Sequence, residues 1–151
     1  MKKLVKLSAL LIAITMLFTL TACSYFNEVK TTLEEAGYQI VQNEENNVTQ
    51  EAEEDERVTN LHVFTNGNSL TALESYKLTT VVVIEFKATK ELVEYYKESD
   101  TLQGAVTDIK EDGTAEEIYN QLKSAGFAHR NCIIVPIGLD AVTVLNIIKA
   151  L

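Results

Sequence analysis

The side chains best suited to nucleophilic, redox or metal chemistry in this 151-residue chain are two thiols and two imidazoles, Cys23, Cys132, His62 and His129. Their spacing brings none of them together. There is no Cys-x-x-Cys and no His-x-x-x-His, the frames that commonly hold a transition metal or a redox pair. A Gly-x-Ser-x-Gly elbow and a Walker loop are absent, and six scattered glycines cannot cradle phosphate. Carboxylates are plentiful, but a glycosidase needs two of them facing across a cleft, which abundance does not provide. The sequence therefore assigns no catalytic residue, no metal ligand and no cofactor, and the chain is expected not to be an enzyme. His62 is expected on a strand in a structural role. His129 follows a helix stop beside Arg130 and is expected in a surface turn. Cys132 opens the apolar run Ile133-Ile134-Val135, where a thiol should be buried and inert.

Acidic residues dominate the charge. Lys and Arg number 13 against 22 Asp and Glu, a formal net charge of -9. Such a surface repels phosphate backbones, which excludes a nucleic-acid role. Glu44, Glu45, Glu51, Glu53, Glu54, Asp55 and Glu56 crowd between Gln42 and Arg57, with Arg57 alone in opposition. The run has the hard oxygens that calcium prefers but lacks the order of an EF-hand loop. It is expected to be a solvated acidic loop, at about residues 42–57, or a frayed polar helix. Replacing Asn46 to Asp55 by a Gly/Ser linker should on this reading change stability by no more than about 1 kcal/mol.

Cys23 stands apart by its context. Leu7 to Ala22 are sixteen residues without a charge, behind Lys2, Lys3 and Lys6. As a helix they would span ~24 Å, short of the ~30 Å hydrocarbon core, which suits the apolar region of a signal peptide better than a membrane span. The stretch ends at Leu20-Thr21-Ala22-Cys23. Here the chain resembles the bacterial prolipoproteins, whose lipobox has an aliphatic residue, two small residues and a cysteine. The resemblance covers only the leader. It implies that diacylglycerol is attached to the Cys23 sulfur and that cleavage before Cys23 removes residues 1–22. Residues 23–151 would then be one α+β domain held on the extracytoplasmic face of the cell membrane by covalent lipid. Without residues 1–22 the balance is 10 basic against 22 acidic residues, or -12. With Cys23 acylated, Cys132 has no intrachain disulfide partner.

Helices and strands alternate through the remainder. Phe26, Val29, Leu33 and Ala36 recur at helical spacing, Lys30 and Glu34 pair on the outer face, and Gly37 supplies a left-handed stop before a strand at Tyr38–Val41. Strands are expected at Val58–Phe64, Val81–Phe86 and Ile133–Ile137, with Pro136 favouring an edge or a strand end. Asn66-Gly67 signals a turn, Ser69–Lys77 is ambiguous, and Thr101–Asp112 is poorly defined. Thr89 and Asp140 are candidate caps, and Thr114-Ala115-Glu116-Glu117 is a capping box before Ile118, Leu122 and Ala125. Leu33–Tyr38 echoes Leu122–Phe127 at an offset of 89, and Val82–Ile84 echoes Ile133–Val135 at an offset of 51. The echoes leave duplication open beside convergence on shared turn chemistry. The expected fold is a small two-layer α+β sandwich, about four strands in an antiparallel or mixed sheet with three to four helices.

The last helix is apolar nearly all round, with Thr143, Asn146 and Lys149 as its polar stripe. It is expected to dock into its own sheet. The alternative is that Val144, Leu145, Ile148 and Leu151 meet an envelope protein partner. The function expected from the whole chain is a lipid-anchored, non-catalytic binding module. Its rival is an accessory or inhibitory protein of an envelope enzyme or transporter, with a secreted hydrolase a distant third.

Overall fold

The computed structural model describes residues 25–41, 45–67, 79–106, 109–110 and 112–151. The Leu20–Cys23 lipobox and the ambiguous stretch Ser69–Lys77 lie outside them. The chain runs through helix α1 (25–35), strand β1 (Gln39–Val41), α2 (Asn47–Glu53), β2 (Val58–Thr65), β3 (Thr79–Phe86), α3 (Thr89–Glu98), α4 (Asp100–Ala105), α5 (Ala115–Ala125), β4 (Ala128–His129), β5 (Cys132–Gly138) and α6 (Ala141–Lys149). All strand pairs are antiparallel, in the order β1-β2-β3-β5-β4. The α+β expectation holds, but the described residues hold five strands and six helices where about four and three to four were read, and helices lie on both faces of the sheet where two layers were expected.

Helices cover both faces of the sheet. Strand alternation sends Val82, Ile84, Phe86, Ile133 and Val135 to one side, where they pack with side chains of α2, α3, α4 and α5. Val81, Val83, Cys132, Ile134 and Phe64 go to the other, under Val29 and Leu33 of α1 and Val144 and Ile148 of α6. The central strands β3 and β5 are thus apolar on both faces, which explains why Val81–Phe86 reads as a continuous run rather than an alternation.

The two helix-to-strand echoes share a turn. Gly37 and Gly126 have φ of +91° and +90°, and in each case the next residue donates to a carbonyl five back (Tyr38 to Leu33, Phe127 to Leu122). Yet α1 and α5 pack on opposite faces of the sheet. The shared chemistry of the turn accounts for the likeness.

Pro136 lies inside β5, which has neighbours on both sides but only at its start. Ile134 N–H points outward to Phe127 O, so two residues on the Pro136 nitrogen faces outward as well, past the end of β4. The missing N–H costs no bond to β3.

The acidic stretch corrects its expectation. Residues Asn47–Glu53 form a helix whose Asn46 side chain accepts from Val48 and Thr49 N–H while the Thr49 hydroxyl accepts from Asn46 N–H. Val48, Thr49 and Ala52 are buried against the sheet. Its carboxylates are solvated on the outer side, but Asp55 is not: it chelates Arg57, which also pairs with Glu98. The guanidinium hydrogen bond holds the Asp55 carboxyl below its ordinary pKa. Replacing Asn46–Asp55 by a Gly/Ser linker should therefore cost about 2–4 kcal/mol in urea unfolding, from lost Val48 and Ala52 burial and a lost cap. A loss below 1 kcal/mol would restore the loop reading.

Two further caps differ in detail. Thr89 is the first residue of α3 rather than its cap, Ala88 taking that position without a side-chain bond. Asp140 takes the cap position of α6 as read, but its side chain accepts from Asn66 Nδ2 at 3.2 Å and makes no bond to the helix. The Thr114–Glu117 box forms as read.

Candidate functional site

Both histidines are used to seat α1. The Phe26 ring stacks on His62 at 3.8 Å between centroids, with 16° between planes. His129 Nε2 lies 2.7 Å from Glu28 Oε2. His129 is 5% exposed, so it is not in a surface turn. The turn belongs to Arg130, at φ +56°, whose guanidinium lies over the Tyr25 ring. The Glu28–His129 contact joins residues 101 positions apart, which no local pattern announces.

Between α1 and the sheet opens a cleft of about 270 Å³. Phe26 and Asn27 form its roof, and Thr59, Asn60, His62, Glu85, Phe86, Lys87 and Asn131 its floor and walls. The strand ends bring these residues together: Asn60 lies opposite Glu85 on the next strand, and Glu85 opposite Cys132. Glu85 is the notable group. It is 5% exposed, accepts one side-chain bond from Asn60 Nδ2 at 2.8 Å, and has no ion-pair partner among the described residues. Burial lowers the His62 pKa, with Glu85 acting in the opposite sense and Lys30 adding to the depression. Burial, assisted by Glu85, pushes the Cys132 thiol up to about 12, so it is buried and protonated as expected.

Other depressions are less suited to a ligand. A larger one, about 570 Å³ between α2, α4 and β5, is lined by Asn46, Asn47, Val48, Thr101, Gly104, Ala105, Pro136 and Ile137, none of them titratable. In the one beside Arg57 the guanidinium is already held by two carboxylates. Among the described residues no group of three or more His, Cys, Asp or Glu is placed to hold a metal.

Of the four residues considered for a partner, Val144 and Ile148 are buried in the chain's own core. Leu145 is partly buried against the opposite cluster, and Leu151 is 44% exposed. The exposed apolar side chains of this region are instead Ile137, Leu139 and Val142, at the start of α6. The tyrosines Tyr38, Tyr95 and Tyr96 are core residues, and Tyr95 also borders the depression beside Arg57.

Sequence reasoning passed over Glu85, although a signal was there: a carboxylate inside the run Val81–Phe86. Asn60 and Asn131 carried no such mark. No protein family, curated protein or solved structure matches the chain.

Proposed function

We propose that the protein is a lipoprotein of the extracytoplasmic membrane face, anchored through lipid on Cys23, and that it acts as a non-catalytic binding module whose ligand enters the cleft under α1. The observation that carries this reading is the cleft itself, in which a buried carboxyl without a cationic partner opens beneath the first turn of the helix that follows Cys23. Buried charge without a partner is costly, and it is retained where a ligand supplies what the chain does not. Two residues, Ser24 and Tyr25, separate Cys23 from Phe26, and the three steps of chain reach at most ~11 Å, so the anchor would hold the cleft at the bilayer surface. Two or three acyl chains suffice for stable anchoring. Among the described residues no helix is long and apolar enough to cross a membrane.

Cys23→Ala should abolish labelling by radioactive palmitate and leave uncleaved precursor. Unchanged labelling removes the anchor from the reading. For the cleft, a small-molecule fragment screen by amide NMR should give hits that gather at Asn60, Glu85 and Asn131. Hits gathered elsewhere would remove the cleft.

The exposed pair Leu139 and Val142, 71% and 69% exposed, supports a second reading, an accessory role toward an envelope protein. They sit at the end of the sheet where Gly138 pairs with Thr79, away from the end where Cys132 pairs with Glu85. This contact would therefore face away from the anchor.

A further inference from the structure

We infer that the cleft recognises a primary ammonium group carried on a small molecule with an apolar body, an inference that rests on the cleft being the binding site. The polar groups at the cleft are turned so that acceptors remain. Asn60 spends an Nδ2 hydrogen on Glu85 Oε2 at 2.8 Å, and Asn131 spends one on Phe86 O at 2.6 Å. A backbone carbonyl and an ionised carboxylate only accept, so each amide turns its nitrogen toward its partner, leaving Asn60 Oδ1 over and Asn131 Oδ1 facing only the Cys132 thiol. Glu85 Oε1 has no hydrogen-bond partner among the described residues, and it is not among the buried atoms that lack one, so it reaches the cleft. Glu85 Oε1 and Asn60 Oδ1 thus stand ready to accept, Asn131 Oδ1 keeps a second lone pair beside the weak Cys132 thiol bond at 4.0 Å, and a primary ammonium has three N–H to give.

The charge agrees. Lys87 lines the cleft, but its Nζ donates to Glu56 O at 2.7 Å and forms no ion pair with Glu85. An anionic ligand would meet the Glu85 carboxylate, while the Lys87 ammonium that could draw it is turned to Glu56 O. A divalent metal asks for six or more oxygens, several of them charged, where this cleft offers one carboxyl. The Phe26 ring gives the roof an apolar surface for the body of the ligand, whereas Phe86 meets the cleft at its backbone, its ring packing beside Tyr95 on the opposite face of the sheet. A quaternary ammonium has no N–H and leaves all three oxygens unanswered.

The same ammonium could come from a free amine or from a lipid headgroup. Both are tested on the full chain in phosphatidylcholine nanodiscs, following the Asn60, Glu85 and Asn131 amide resonances. n-Butylammonium should shift them with an affinity at least about tenfold above those of 1-butanol and N,N,N-trimethylbutylammonium. Glu85→Gln, which keeps an acceptor for Asn60, should erase that preference. Replacing part of the lipid by phosphatidylethanolamine should reproduce the shifts if the headgroup is the source, and leave them unchanged if a free amine is. Binding of 1-butanol as strong as that of the amine would overturn the ammonium assignment while leaving the cleft as the site. Silence of all three resonances toward every probe and both lipids would overturn the assignment too, and fragment hits elsewhere would take the cleft with it. Should Glu85→Gln fail to fold, the comparison of amine with alcohol on the unaltered chain decides alone.

Discussion

Gly126→Ala should lower the stability of the chain by about 2–4 kcal/mol, read as a fall in the urea midpoint, whereas Gly37→Ala should cost only about 1 kcal/mol. The two glycines have the same backbone, φ +90° and +91°, at the same point of the same turn, so the strain of a side chain in the left-handed region is common to both. Their surroundings differ. A Cβ on Gly37 meets nothing within 4 Å, while a Cβ on Gly126 would collide with the backbone carbonyl of Leu145. Backbone cannot swing away as a flexible side chain can, so α5 and α6 would have to part. Equal losses in the two variants would show that α6 does not rest on Gly126, and the packing of the last helix would need to be redrawn.

Ile148→Ala tests the same helix from its other side. Ile148 is 3% exposed and packs with Val81, Val83 and Ile134 of the sheet. Truncating such a side chain costs ~2–5 kcal/mol, set against a total of ~5–15 kcal/mol for a domain, so the melting temperature should fall by many degrees. Leu145→Ala should cost less, because Leu145 is only partly buried. Val142→Ala, at an exposed site, should lie within about 0.5 kcal/mol of the parent. If the helix instead served a partner through its inner face, Ile148→Ala would leave the melt unchanged and remove a crosslinked species in cells. That outcome would overturn the docked helix. Loss of a crosslink in Val142→Ala, with an unchanged melt, would favour the accessory role through the exposed face.

What could be read in advance was what local chemistry decides. Gly126 stops α5 because the left-handed turn needs a glycine, and Thr114 with Glu117 starts it by closing two backbone donors. Val81–Phe86 announces a central strand through its β-branched run. The acidic helix α2 was hidden for a physical reason. Its box uses Asn46 and Thr49 rather than serine and glutamate, and it offers the core only Val48, Thr49 and Ala52, too few positions for a periodicity to show through seven acidic neighbours. The cleft was harder still. Glu85 becomes a buried carboxyl only when α1 is laid across strands β2 and β3, and His129 leaves the surface only because Glu28 comes to it. Such contacts join distant parts of the chain, and composition does not encode them.

Pro136 has a meaning outside the folded monomer. Beyond β4, the outward edge of strand β5 has no strand neighbour among the described residues, and its exposed end at Ile137 and Gly138 is where a strand of another molecule could begin to lie against it. At the point where that edge would offer its next outward donor after Ile134, the chain has an imide nitrogen with no hydrogen. A foreign strand would find its ladder broken at the first rung. The proline thus guards against edge-to-edge polymerisation, the route by which open sheets grow into fibres.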